Sequence, residues 1–335
     1  MDFIDKIYEI AKKNKKRVAV PECTNDRMMK LAVKAHQEGL AEVVFVGDLE
    51  EIKKVAAENT VDLSDIEIVN TKDQTVRENL LNRYDALPRK KIMGKAYVKM
   101  FMEKPLFTSL VMEAVGDVDC TYGGLDTTTS EFVMAASGIL GLAEGCSNPS
   151  AITLMEVLNQ EGEVIKLMGM SDGAINTEPN AEQLASIAIA ACDSFMALTG
   201  ETARAAILSY STDGSGNSSS VFTEREARDL AQSRRPDLLI DGEFQIDTAL
   251  LPRVAERKMK RPSEVAGKAN VLIFPDAAAC NIGSKLLGMY APSRAYGPVY
   301  QGFAKTVLDC SRGATDQVLY NNFAFCSAMA ACQEK

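Results

Sequence analysis

The chain predicts an α/β fold divided into two domains. Two observations carry this: short apolar segments alternate with segments of helical periodicity, and 335 residues exceed what one hydrophobic core usually holds. A strand is expected at Arg17 to Val20, after which Met28, Leu31, Ala32 and Ala35 recur at helical spacing until Gly39 ends the run. Val43 to Val46 reads as the next strand. Asp48 is placed to cap a helix with Ile52, Val55 and Ala56 on its apolar face, and Ile66 to Val69 gives a third strand. Strand, helix, strand in this order implies parallel pairing through right-handed crossovers.

The alternation resumes with a strand at Val118 to Tyr122, the loop Gly123 to Ser130, and an apolar helix to about Gly141. Further strands are expected at 151–155, 164–168, 204–210, 237–241 and 270–274, with helices near 182–198, 223–233, 281–290 and 315–332. Asp213 to Ser220 reads as a loop too polar and flexible to pack.

Hydrophobic residues at 46% and charged residues at 25% are ordinary for a soluble globular protein, and no stretch reads as long and apolar enough to span a bilayer. Met1 to Lys16 is charged and lacks an apolar segment with a cleavage site, so a cytoplasmic location is expected. A net charge of −9 argues against nucleic acid and anionic membranes as partners, and it requires a local positive pocket for any anionic ligand. The eight cysteines form no CxxC pair and His36 is the only histidine, so no metal site is expected; the thiols read as buried and free, His36 as solvated. Met100, Met102 and Met112 read as core filling. Gly267-Lys268 lacks the first glycine and the Ser or Thr of a P-loop, and no GxGxxG opens a helix near the N-terminus, which sets nucleotide cofactors aside. Asp241 and Glu243 are expected to orient neighbouring groups and Asp247 to start a helix, since their spacing supplies too few convergent oxygens for a cation.

The last forty residues contain Tyr296-Gly297-Pro298, Gln301-Gly302 and Asp309-Cys310-Ser311-Arg312-Gly313. A planar guanidinium fork, an adaptable hydroxyl and a glycine that admits close approach suit a phosphate or acyl phosphate; a serine-capped turn beside a surface arginine is the plain alternative. Upstream stand Asp241-Gly242-Glu243-Phe244-Gln245-Ile246-Asp247, Gly267-Lys268-Ala269-Asn270-Val271, Phe274-Pro275-Asp276 and Asn281-Ile282. In this order and spacing they resemble the phosphate acetyltransferase and phosphate butyryltransferase family, and Leu208-Ser209-Tyr210-Ser211-Thr212 resembles its acetyl branch. The resemblance implies two three-layer α/β domains with mainly parallel sheets facing across a cleft. It places the chain's return near Tyr296, so that residues 1–146 plus 296–335 form the first domain and 147–295 the second. It also implies a homodimer, with acyl-CoA, phosphate and acyl phosphate as ligands, coenzyme A as a substrate, and no tightly bound cofactor.

On the same resemblance Ser311 polarises the acyl carbonyl and Arg312 binds the phosphoryl group, with Gly313 beside them. Thr128, Thr129, Ser130 and Tyr296 line the site; one hydroxyl of the Gly123 to Ser130 loop is expected to be a helix cap. Ser209 and Ser211 fall on the coenzyme A side, and Asn281 belongs to the quoted signature. Three family positions differ. An arginine soon after a tyrosine is replaced by Tyr84-Asp85-Ala86-Leu87, with Arg89 two residues on; the helix after the hydroxyl-rich loop carries Glu131-Phe132-Val133-Met134; and the acid seven residues after the serine is Val318, with Asp316 nearest. Two residues on a helix are roughly 200° apart, so either Asp316 reaches the thiol through a local change or the thiol ionises unaided. Rival readings are a transacylase for propionyl, butyryl or another acyl group, and a non-catalytic ligand-sensing or scaffold homologue.

Overall fold

The computed structural model describes residues 2–88 and 92–333, so Arg89 lies outside the described residues. The chain divides into two compact units, Met1–Glu144 with Phe303–Lys335, and Gly145–Gly302. The first begins with α1 (Phe3–Lys13), β1 (Arg17–Val20), α2 (Asp26–Gln37), β2 (Glu42–Gly47), α3 (Leu49–Glu58), β3 (Glu67–Asn70) and α4 (Gln74–Ala86). It continues through α5 (Lys95–Lys99), α6 (Pro105–Val115), β4 (Cys120–Gly123) and α7 (Thr129–Ile139). The second unit holds β5 (Ser150–Leu158), β6 (Val164–Ser171), α8 (Ala181–Thr199), β7 (Arg204–Leu208), α9 (Ser219–Arg234) and β8 (Leu239–Phe244). Its chain ends with α10 (Ile246–Leu250), α11 (Pro252–Lys258), β9 (Val271–Ile273), α12 (Ala277–Tyr290) and β10 (Ser293–Gln301), after which β11 (Thr306–Asp309) and α13 (Asp316–Gln333) complete the first unit.

In the first unit the sheet order is β11-β4-β1-β2-β3, parallel throughout. Val18, Ala19, Val20 and Val43 to Val46 are all at most 1% exposed, the unbroken burial of strands covered on both faces. α13 packs against α1, α2, β1, β4 and β11, while α6 packs against α4, α7, β1, β2 and β4. Polar caps set the helix starts: Asn25 accepts from the Arg27 and Met28 N–H groups, Asp48 from Glu50 and Glu51, Asp73 from Thr75 and Val76. α1 was not foreseen in the charged N-terminal run. Its buried Phe3, Ile7 and Ala11 recur every four residues, a narrow stripe that α13 covers.

Three smaller expectations are corrected in this unit. His36 is not merely solvated: its Nδ1 accepts the Val43 N–H at 3.1 Å, tying the end of α2 to β2. Met102 and Met112 fill core, but Met100 is 75% exposed. Of the eight free thiols, Cys332 here and Cys146 in the second unit are only half-buried. α6 also buries a carboxyl, Glu113, which accepts the Thr121 hydroxyl at 2.7 Å. Burial drives its pKa well above the usual carboxylate range.

The second sheet has the order β10-β5-β6-β9-β7-β8. β6, β9, β7 and β8 are mutually parallel, whereas β5 runs antiparallel to β6 and β10 antiparallel to β5. β10 was not foreseen, and it moves Tyr296 from the first unit, where the resemblance had put it, into the second; the chain returns at Phe303. α8 corrects the expectation that no segment could span a bilayer, since by length and composition this 19-residue helix qualifies. It is 67% buried, and it packs on β5, β6, β7, β9 and β10 as the central helix of a folded unit.

Candidate active site

In the first unit the chain passes from β1 outward to β2 and β3, then crosses back to lay β4 on the other side of β1. Loops leaving the carboxyl ends of β1 and β4 therefore diverge at a topological switch point, where open α/β sheets bind ligands. Glu22 follows β1 and is 6% exposed. Its two carboxylate oxygens accept the N–H groups of Leu125 at 2.6 Å and Thr127 at 2.8 Å, fixing the loop after β4. β11 lies beside β4 and delivers Asp309, 3% exposed, whose Oδ2 accepts the Thr129 hydroxyl at 2.7 Å. Gly124 permits this approach: its φ is +105°, and a Cβ there would lie 1.6 Å from Asp309 Oδ1.

The hydroxyls of this loop now separate by role. Thr128 is the cap of α7, accepting the Glu131 N–H, and Thr129 is held by Asp309; Ser130 is exposed in the first turn. Ser311, Arg312 and Gly313 follow β11 and are exposed, with the Gly313 N–H donating to Ser311 Oγ at 3.3 Å. Arg312 makes no hydrogen bond or ion pair among the described residues, so its full donor fork faces outward. Asp316 differs: its Oδ1 accepts from Nε and Nη2 of Arg27 at 2.9 and 2.7 Å, and Arg27 also donates to the Ala314 carbonyl. The acid expected near the thiol is thus an exposed ion-pair partner that ties α2 to the start of α13. In the Glu131-Phe132-Val133-Met134 stretch, where an arginine was sought, Glu131 pairs with Lys104 at 3.0 Å, while Val318 is partly buried in α13.

The second unit builds its loop after β7 differently. Ser209 is half-buried and its Oγ accepts the Ser211 N–H at 3.1 Å. Ser211 is fully buried, donates to Glu243 Oε1 at 2.6 Å and accepts the Gly216 N–H at 2.7 Å, so its hydroxyl is an internal tie. Glu243 Oε1 also accepts the Gly214 N–H, and Arg225 donates to both carboxylate oxygens at 2.7 and 3.1 Å. Burial pushes Glu243 upward, but Arg225, the Ser211 hydroxyl and the Gly214 N–H outweigh it and hold the carboxyl at about 2. Asp213 accepts from Lys260 N–H and Arg261, and Asp241 is gripped by Arg261 and Ser263. Residues 213–218 therefore form a pinned loop, contrary to their polar sequence, because carboxylates from β8 and a basic turn supply the partners, and Ser219-Ser220 already open α9. Asp247 sits in the first turn of α10 and pairs with Lys258.

Two further expected residues lie in this unit. Asn281 is exposed in the first turns of α12. Tyr296 is 5% exposed and its hydroxyl donates to Glu156 at 2.8 Å, which makes it a buried partner of β5. Glu22, Arg27 and Asp309 were not singled out by role. The signal for Glu22 and Asp309 was an acid directly after a buried strand; for Arg27 there was none, because its neighbours Ala314 and Asp316 are almost three hundred residues away in the chain.

The matching family model, "Phosphate acetyl/butaryl transferase", covers residues 2–327. A phosphate acetyltransferase of Acetivibrio thermocellus is 37% identical over 315 residues, 94% of each chain, and one of Clostridium acetobutylicum is 35% identical over 322 residues, 96% of each. A solved phosphotransacetylase from Streptococcus pyogenes superposes with a TM-score of 0.86 at 27% identity over 98% of both chains. With a glycine-framed switch point, an unpaired Arg312 beside Ser311, and likeness of this extent along the whole sequence, the chain belongs to the phosphate acetyl/butaryl transferase family.

Proposed function

We infer that the chain is a phosphate acetyltransferase, moving an acetyl group reversibly between coenzyme A and inorganic phosphate. The observation that carries the reading is Arg312, exposed and unpaired beside Ser311 at the carboxyl edge of the first unit's sheet. In the forward sense phosphate oxygen attacks the thioester carbonyl; in reverse the coenzyme A thiolate attacks acetyl phosphate and phosphate leaves with the electron pair. Ser311 donates to the oxygen that becomes negative in the tetrahedral transition state, and Arg312 holds the phosphoryl oxygens as a charged fork. Ser130 and the first N–H groups of α7 add neutral donors to the same anion. Asp316 positions Arg27 and takes no proton. Coenzyme A is a substrate, and the roles of these side chains need no resident cofactor.

A homodimer also belongs to this reading. Ile282, Leu286, Met289 and Tyr290 on α12 are 52% to 82% exposed and share one helical face, an apolar stripe flanked by the exposed Lys285 and suited to a second copy of itself. Leu286→Lys should shift the sedimenting mass to that of a monomer. The activity is tested by thiol release from acetyl-CoA with phosphate or arsenate, followed by a panel of propionyl-CoA and butyryl-CoA. Acetyl should give the highest kcat/KM; a larger value for a longer acyl group moves the protein to the transacylase reading, and no release with any member leaves a sensor.

A further inference from the structure

The first unit also holds a cavity of about 520 Å³ among α4, α6 and the outer strand β3, which pairs only with β2. It opens at the amino ends of the parallel strands: Arg17 begins β1, Glu67 begins β3 and Asp117 stands just before β4. Ser311 and Arg312 follow the carboxyl end of β11, so this cavity and the proposed phosphoryl site lie at opposite ends of one sheet. The volume falls in the range of small-molecule sites, roughly 300–1,000 Å³. Its floor is apolar, made by the half-buried Val69 and Val76 and the buried Leu80 and Met112.

The rim carries both signs of charge. Arg17 donates from Nε to the Asp117 carbonyl at 2.9 Å and from Nη2 to Glu67 Oε2 at 2.8 Å, while Nη1 holds Glu42; Arg83 forks onto the Asp117 carboxylate. Neither guanidinium spends all five of its N–H groups, and among the described residues Oε1 of Glu67 accepts nothing. Thr75 and Asn79, one turn apart on α4, line the same cavity, and their side chains make no hydrogen bond among the described residues. Arg17 and Arg83 are thus matched by Glu67 and Asp117, so the rim gives an anion such as phosphate no field to follow. It offers instead separate positive and negative partners above an apolar floor.

We propose that this cavity binds a free α-amino acid with a large apolar side chain. Its carboxylate takes the spare N–H groups of Arg17 and Arg83, its ammonium takes the open oxygen of Glu67, and Asn79 and Thr75 add neutral partners. The side chain covers Val69, Val76, Leu80 and Met112, and that burial supplies the affinity that a small or polar side chain would forgo. The site stands on the geometry of the first unit alone and does not depend on the acetyltransferase reading.

The experiment is isothermal titration of the whole chain, at two temperatures, with L-phenylalanine and L-leucine beside glycine, phenylpropionate and phenethylamine. Phenylalanine and leucine should bind with a Kd below about 1 mM; glycine, which lacks the apolar side chain, and the two analogues, which each lack one charge, should bind at least about tenfold more weakly. Val76→Trp should fill the cavity and abolish phenylalanine binding. Glu67→Gln, on the exposed rim, should weaken phenylalanine about tenfold and leave phenylpropionate unchanged. The proposal is overturned if neither phenylalanine nor leucine binds, if either analogue binds as tightly as phenylalanine, or if a folded Val76→Trp keeps the wild-type affinity. Should Val76→Trp fail to fold, Glu67→Gln decides, because undiminished phenylalanine affinity there removes the ammonium partner and the proposal with it.

Discussion

The loops after β4 and β7 use one device with opposite results. Each leaves the carboxyl end of a parallel strand, ends on a hydroxyl cap, Thr128 or Ser218, and is fixed by a buried glutamate from the adjacent strand or its exit. Glu22 takes only backbone N–H groups, which leaves Ser130 and the neighbouring Arg312 outward. Glu243 takes the Ser211 hydroxyl, an N–H and a guanidinium, so that hydroxyl of its loop is already satisfied. A carboxylate that binds backbone presents a loop's side chains, while one that binds side chains silences them.

The largest effect should fall where the presented side chains act. Ser311→Ala is expected to lower kcat by about 10²–10³ with a small change in KM, measured by thiol release; wild-type turnover would reduce Ser311 to a turn cap. Next, Glu22→Ala and Glu243→Ala should each cost roughly 3 kcal/mol of stability in urea melts, since each strands several charge-assisted hydrogen bonds. Only Glu22→Ala should also depress phosphate turnover strongly. Equal kinetic losses from both would erase the contrast between the two loops. Arg312→Ala, which removes an exposed donor fork, should leave stability unchanged and raise the KM for phosphate about tenfold while lowering kcat. Unaltered phosphate kinetics would take Arg312 out of the site.

The smallest but most telling contrast is in sign with pH. Glu243 is held at about 2, so its contribution is full above the ordinary carboxylate value of 4.5 and is lost as the pH falls from there toward 2. Glu113 is raised by burial, so the unfolded chain ionises above 4.5 while the folded one keeps its proton, and stability falls as the pH rises. Melting temperatures of Glu113→Gln should therefore exceed wild type increasingly from pH 5 to pH 8, whereas Glu243→Gln should fall below wild type at pH 7 and approach it near pH 3. The same trend in both variants would mean that the hydrogen-bond donors around Glu243 do not outweigh its burial.

Strands with continuous apolar burial and helices with polar caps were legible: β1, β2 and the Asp48 cap came directly from periodicity. β10 was hidden because Gly297-Pro298 interrupts it and shifts its pairing with β5 between Tyr296 and Val299. β11 was not foreseen either, although it is as long as β1. The site was legible where chemistry is local, as in Ser311-Arg312-Gly313. It was illegible where a partner is remote: nothing near Ser211 in the chain announces Glu243, and nothing near Asp316 announces Arg27.

The late return of the chain at Phe303 carries a consequence for synthesis. Gly145–Gly302 is continuous and can fold as soon as it is made, but the first 144 residues must wait with β4 as a bare edge. At ~5–20 residues per second the closing strand arrives roughly ten seconds or more after β4 is made, and an unpaired apolar edge is a template for aggregation throughout that interval. Ser311 and Arg312 arrive on that same closing segment, so the nascent chain acquires the groups proposed to hold the phosphoryl oxygens only as it seals its own exposed edge.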